Sequence, residues 1–291
     1  MSVDRASALA GWFGGRVLAR RFGDAKVERT MRVPFPNLTA AEFATLVAQM
    51  SDNVMRVFAE LAHLQAFAGP GNDRLRISGT DNIASARAGG RGVLFLAGHF
   101  GNWEMSEVAL RSLGIDGAVS IMPPTNPYVF EWLARQRLAV GLGEQIGAGE
   151  GVYRTFRRRL REGKAVLLLA DQRVSNGIKV PFFGLETTTN VIPARVARTL
   201  GVAIVPMSIR RAPGKRVMFD VSFLPPLEFE RRGDKDGDER AFMTRINAFY
   251  ERELLAVPGQ WLWGHPRWDD AIFDIKTKRE RRQDTPGSRL Q

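Results

Sequence analysis

The chain has 291 residues, 44% of them apolar, with 42 Lys and Arg against 31 Asp and Glu for a net charge of +11, and it contains no cysteine. The apolar share can build one substantial core, or a core with a small helical appendage, while the lack of cysteine excludes disulfides and thiolate chemistry and suits a reducing cytoplasm. The basic excess implies an anionic partner: a membrane surface, a phosphorylated lipid, an acidic carrier protein or nucleic acid.

No uninterrupted apolar run reaches the about 18 residues of a membrane-spanning helix, and no internal repeat is visible. A secretory signal is not expected, because the apolar stretch from Ala6 to Gly15 is short and its charges, Arg16, Arg20 and Arg21, follow it. Residues 1–35 read as a helix and a connector. Trp12, Phe13, Val17, Leu18 and Phe22 alternate with arginines, a pattern that suits a helix lying at a lipid interface, with Arg16 snorkelling from the face of Leu9 and Trp12. It suits equally a helix packed on the rest of the protein.

A domain follows over 36–274. Thr39-Ala-Ala-Glu42 has the form of a capping box, and it opens a helix whose apolar positions Phe43, Leu46, Val47, Met50, Val54, Val57, Phe58, Leu61 and Leu64 share one face. His63 has no acid at relay spacing and reads as structural. From Leu75 onward strand-like and helix-like segments alternate: strands at Val93–Ala97, Ala118–Met122, Ala165–Ala170, Ala203–Ile209 and Val217–Leu224, with helices at Trp103–Leu113, Asn126–Leu138, Tyr153–Arg161 and Arg240–Leu254. Alternation of this kind predicts an α/β domain with a central, mainly parallel or mixed sheet flanked by helices, preceded by the N-terminal helices. Ligand crevices in such sheets lie beyond the carboxyl ends of the strands.

Two strand ends carry chemistry. Val93 to Ala97 is an unbroken apolar run that predicts a buried strand, and Gly98 ends it before His99, with Glu104 five residues on and Gly101 and Asn102 as turn and cap between them. An imidazole can take a proton from a hydroxyl near neutral pH, and a carboxylate beside it fixes its tautomer and balances its charge. With no serine or cysteine in the stretch placed as a nucleophile, direct attack by a substrate hydroxyl is favoured over a covalent enzyme intermediate. The second strand end is Asp171, entered from Ala165–Ala170. That acid could bind a cation, orient a hydroxyl, pair with an arginine across the site, or simply cap its own turn.

Further along, the segment Arg154 to Arg161 carries five arginines, either a solvated helix face or a patch for lipid phosphates or an acidic carrier protein. Near the end stands Trp261-Leu-Trp-Gly-His-Pro-Arg-Trp268, in which His265 reads as packing around the core. Residues 275–291 form a basic tail expected to be disordered.

These strings together resemble a known family. His99-Phe-Gly-Asn-Trp-Glu104 resembles the His-x4-Asp/Glu motif of glycerolipid-type acyltransferases, in the form used by the lipid A biosynthesis late acyltransferases, the lauroyl/myristoyl transferases. Asp171-Gln172, leading through Val180-Pro-Phe-Phe-Gly184 to Thr187, Thr188 and Thr189, is similar to the same family's second string. Asn126-Pro127 followed by Trp132 and Arg137 resembles its Asn-Pro-x-x-x-x-Trp helix, and the Trp-rich end its Trp-x-His-x-Arg-Trp/Phe element. One departure is Met122-Pro123, where the family often has Arg-Pro.

The resemblance implies an α/β acyltransferase domain attached to the cytoplasmic face of the bacterial inner membrane, moving a fatty acyl chain from acyl carrier protein to a hydroxyl of a lipid A precursor. It implies His99 as the base, Glu104 as its orienting acid, Arg137 (with Arg135 in competition) at the oxyanion or a phosphate, and Asp171 holding the acceptor or Arg137. Asn102, Asn126, Gln172, Arg135 and Arg158 are the substrate-binding candidates. No metal or organic cofactor is expected, since a thioester is already an activated donor. Two rivals stand beside this reading: another membrane glycolipid or phospholipid as acceptor, with acyl-CoA as a possible donor, and a basic nucleic-acid-binding protein. The latter is disfavoured because the basic run lacks interleaved aromatics for base stacking.

Overall fold

The computed structural model describes residues 1–69, 71–88, 90–121, 126–147, 149 and 151–273. The predicted tail and Met122-Pro123 therefore lie outside the described residues.

Four helical segments open the chain. They are α1 (Val3–Phe13), running through a π-helical turn at Gly14–Leu18 into α2 (Ala19–Phe22), then α3 (Ala25–Met31) and the long α4 (Ala40–Leu61). The capping box forms as the sequence predicts: Thr39 Oγ1 accepts from the Glu42 amide while the Glu42 carboxylate accepts from the Thr39 amide. One face of α1, made by Val3, Ala6, Ser7 and Gly11, is buried against α4, and at Gly14 a Cβ would collide with the Ser51 carbonyl of α4. The opposite face leaves Leu9, Trp12, Phe13 and Val17 exposed. No helix of the described residues is long and apolar enough to cross a membrane.

Next come β1 (Leu75–Ser78), α5 (Thr80–Arg87), β2 (Val93–Ala97), α6 (Glu104–Ser112), β3 (Gly117–Ile121), α7 (Pro127–Ala139), β4 (Gln145–Gly147), α8 (Gly151–Arg161) and β5 (Ala165–Leu169). The chain ends through β6 (Ile178–Phe182), β7 (Leu185–Thr189), α9 (Ile192–Leu200), β8 (Ile204–Arg211), β9 (Phe219–Phe223) and α10 (Lys235–Ala256). Seven strands make one sheet in the order β1-β9-β8-β2-β5-β3-β4, parallel throughout except for the β8/β9 pair. The fold is thus the predicted mostly parallel α/β sheet with added N-terminal helices.

Every residue of β2 is buried, because alternate side chains feed two cores. Leu94, Leu96, Val166 and Leu168 face a layer built from α8, α9, α10 and the tryptophans Trp261, Trp263 and Trp268. Val93, Phe95, Ala97 and Leu167 face the layer of α5 and α6. A strand apolar on both faces is what a central parallel strand requires.

The second family-like string folds as a separate hairpin, β6/β7, which the strand pattern alone had not suggested. Its turn is Phe183-Gly184, both at positive φ (49° and 75°), the geometry of a tight two-residue hairpin loop. Phe183 is held there by its amide donating to Glu251 Oε1 at 2.5 Å.

Candidate active site

Strand register assembles the site. Ala97 of β2 pairs with Leu169 of β5, so two residues beyond that pair the chain delivers His99 and Asp171 side by side. Tyr250 of α10 pegs the two strand ends together, its hydroxyl donating to Ala97 O at 2.8 Å and accepting from the Ala170 amide at 3.2 Å. His99 Nδ1 then lies 2.8 Å from Asp171 Oδ1, and the His99 amide donates to Asp171 Oδ2 at 3.0 Å. Trp261 Nε1 donates to the same Oδ2 at 2.7 Å.

Asp171 is fully buried. Burial pushes its carboxyl up, but the charge of His99, the hydrogen bonds from its ring and amide and the one from Trp261 more than offset this, and the carboxyl stays below the usual range. A carboxylate on Nδ1 places the ring proton there and leaves Nε2 as the lone-pair nitrogen able to accept a proton.

Here the structure corrects the sequence reading, which gave His99 to Glu104 and left Asp171 to the acceptor or to an arginine. Glu104 is the first residue of α6, and both its oxygens are engaged by Arg137 of α7, Nε at 2.9 Å and Nη2 at 2.5 Å. The helix turns Glu104 toward α7, whereas parallel pairing holds Asp171 against His99. Burial draws the Arg137 guanidinium down, but the hydrogen bonds and charge of Glu104 outweigh it, so the net shift is upward and the group is a fixed cation. Nη1 of Arg137 has no hydrogen bond among the described residues.

His99, Glu104 and Arg137 line a cavity of about 780 Å³. One part of its wall is apolar, from Val54, Phe58, Val119, Ile121, Leu167 and Leu169, and the polar part adds Trp103, Glu107, Gln145, Gln172 and His265. The ring of Trp103 sits 5.3 Å from that of His99. A second, more open groove of about 950 Å³ lies between α1, α4 and residues 256–260; Arg16 lines it together with Arg56 and Arg211, which are bound to Asp52 and Glu60, and no histidine lines it.

The remaining candidates divide. Gln172 lines the cavity. Asn102 does not: it is fully buried, accepting from the Glu104 amide at 3.1 Å and donating to Glu60 at 2.9 Å, so it shapes the loop rather than meeting a ligand. Asn126 is spent on capping α7 through the amides of Tyr128 and Val129. Arg135 is exposed near Glu131, and Arg158 is exposed on α8 near Glu162; neither lines the cavity. Of the two competing arginines the cavity therefore holds Arg137.

Glu107 and His265 are cavity residues whose placement the sequence did not reveal. Glu107, one helical turn beyond Glu104, is buried, accepts from Gln145 Nε2 at 3.1 Å, and is pushed up to about 7 by burial and then by the Glu104 charge. Its signal was the i, i+3 spacing from Glu104. His265, expected to pack in the core, instead has much of its surface exposed at the cavity wall, where partial desolvation of its ring and then the His99 charge lower its pKa. The loop carrying His99 is clamped from behind. Asn53 of α4 donates to Gly101 O at 2.8 Å, and Gly101 itself, at φ 55°, packs too close to Ile209 O for a side chain.

A mostly parallel sheet whose central strands end in a carboxylate-backed histidine over a deep cavity defines an α/β enzyme. Comparison with known proteins gives the family. Residues 2–270 match the family described as bacterial lipid A biosynthesis acyltransferase, and the chain belongs to it. Among its relatives, a phosphatidylinositol mannoside acyltransferase of Mycolicibacterium smegmatis is 23% identical over 276 residues, covering 94% of this chain and 87% of the relative. The enzyme of the same name from Mycobacterium tuberculosis is 26% identical over 195 residues, 66% of this chain and 59% of the relative, so the match spans less than two thirds of that protein. A lipid A biosynthesis palmitoleoyltransferase of Escherichia coli is 25% identical over 252 residues, 82% of this chain and 76% of the relative.

Proposed function

We propose that this protein transfers a fatty acyl chain from a thioester donor, acyl carrier protein, to a hydroxyl of a lipid A precursor, the late secondary acylation. The single observation that carries the reading is the His99–Asp171 pair, whose histidine lines a partly apolar cavity. In the reaction, His99 Nε2 takes the proton of the acceptor hydroxyl as its oxygen attacks the thioester carbonyl carbon. The carbon–sulfur bond then breaks, and the thiolate recovers the proton from the imidazolium, which Asp171 has stabilised meanwhile. Arg137, held on two sides by Glu104, turns its remaining Nη1 to the carbonyl oxygen or an acceptor oxygen as negative charge develops there. The apolar wall receives the acyl chain.

The chain works at the cytoplasmic face of the inner membrane as a peripheral protein. The exposed Leu9, Trp12, Phe13 and Val17, beside Arg16, Arg20 and Arg21, support contact with an anionic bilayer, as do the exposed Tyr128, Val129, Phe130, Trp132 and Leu138 of α7. Arg154, Arg157 and Arg161 of α8 have no acidic partner among the described residues, which supports an acidic carrier docking there.

The mycobacterial relatives favour a second acceptor, a mannosylated glycophospholipid, by the same chemistry. Purified protein assayed with acyl carrier protein or acyl-CoA donors, against a tetraacylated lipid A precursor and a phosphatidylinositol mannoside, separates these readings. Acyl transfer from the carrier to the lipid A precursor is the expected result; transfer only to the mannoside selects the second acceptor, and no ester product from any pair contradicts both.

A further inference from the structure

Among the described residues, four buried glutamates each have a guanidinium against them. Glu60, Glu104, Glu239 and Glu253 are bound by Arg211, Arg137, Arg198 and Arg210. Of the other buried carboxyls, Glu107 leans on the Gln145 amide and Asp238 on the Arg232 backbone amide; beside them stand Asp171 and the one buried cation of that set, Arg267. Asp171 meets no guanidinium, only His99 and Trp261. Arg267, with no solvent exposure, meets no carboxylate among the described residues.

The guanidinium of Arg267 is wrapped in neutral acceptors. Nη2 donates to Thr189 Oγ1 at 2.9 Å and to Asn247 Oδ1 at 3.0 Å, and Nη1 reaches Thr188 O at 3.3 Å. Nε has no hydrogen-bond partner among the described residues. The group lies 4.8 Å over the ring of Phe182, which packs in turn on Trp261, the donor to Asp171. A cation taken out of water at such expense, when methionine would fill the space, calls for an electrostatic reason. Burial draws it down only to about 10, with Asp171 the foremost charge opposing that drop, so it stays protonated at neutral pH.

We propose that Arg267 is a positioning residue for the His99–Asp171 pair: its buried positive field keeps Asp171 an anion while His99 is neutral, and so keeps Nε2 free to act as base. While His99 awaits the acceptor it carries no charge, and Asp171 then has only hydrogen bonds to hold its charge in a site closed to water. Arg267 supplies the missing counter-charge without touching Asp171, so it cannot capture the carboxylate from the imidazole. The other charged or titratable groups facing the pair are Tyr250 of α10, His265, Glu107, Arg173 with its partner Asp269, and the Glu104–Arg137 bridge, with Glu251 of α10 acting on Arg267; all of them are intact in the variants below.

This rests on His99 being the base, and the test is the acid limb of the pH profile of kcat/KM. Without the cation the pair binds a proton more readily, so in Arg267→Met the limb moves to higher pH by roughly 0.5 to 1 unit. Arg267→Lys keeps the charge and leaves the limb within about 0.2 units of wild type. Asn247→Asp sets an anion on Nη2 with the guanidinium in place, and shifts the limb upward as Arg267→Met does; it decides the matter should Arg267→Met fail to fold. A limb unmoved in Arg267→Met, or in Asn247→Asp where that variant alone folds, reduces Arg267 to packing and overturns the proposal. Undiminished turnover in His99→Ala would instead sink the base reading itself, which separates the two failures.

Discussion

Two carboxylates lie behind the residues that line the cavity or among them, and they are used in opposite ways. Asp171 stands just past the end of a strand, fully buried, and its partner is an imidazole, a ring able to take up and release a proton. Glu104 opens a helix, and its partner is a guanidinium that never does. The first pair can move a proton; the second can only hold a charge in place. Because the two acids hold different partners, and both partners, His99 and Arg137, line one cavity, one site can carry both a base and a fixed cation.

Breaking the pairs should separate these jobs. The largest effect is expected for Asp171→Asn, whose amide NH₂ offers a donor to Nδ1, disfavours the Nδ1–H tautomer and removes the counter-charge; turnover should fall by about 10² to 10⁴ with little change in KM. Steady-state kinetics checks this, and a fall below threefold would show that Asp171 does not support the base. Glu104→Gln should act on the fold first, because it strands Arg137 in a buried setting, costing about 3 kcal/mol in urea unfolding. Wild-type unfolding in that variant would mean the bridge is not structural.

Glu107 gives a pH signature. Its folded pKa, about 7, lies above the ordinary carboxyl value, so its protonated form is the one the fold accepts. The sign follows: stability is fully present below the unfolded pKa and declines as pH rises through about 7. Melting temperature should therefore fall between pH 5 and pH 8, and Glu107→Gln should flatten that fall, as thermal scans in matched buffers would show. Smallest of all is Arg135→Ala, which should leave turnover within about twofold because the side chain is exposed and outside the cavity; a dead Arg135→Ala beside an active Arg137→Ala would mean that the wrong arginine has been assigned.

The same contrast explains what the sequence disclosed. Local signals were readable: the apolar run Val93–Ala97 announced a central strand, and Thr39 and Glu42 announced the start of α4. His99 and Asp171 were both visible as strand-end residues. Their pairing was not, since it depends on the Ala97 to Leu169 register of two strands 72 residues apart, which no local pattern encodes. Proximity in sequence pointed to Glu104 instead. β4, of three residues, is too short to show periodicity, and β6 carries Pro181, tolerable only because the hairpin leaves it at an edge. His265 sits within a tryptophan-rich stretch that is otherwise mostly buried, so its exposure is a matter of tertiary placement.

All of this turns on His99 as the proton acceptor for an attacking alcohol. Initial-rate acyl transfer by purified His99→Ala, with the melting temperature as a control for folding, tests it most directly. A loss of about 10³-fold or more in turnover at unchanged melting temperature is the predicted result, and turnover equal to wild type would contradict it.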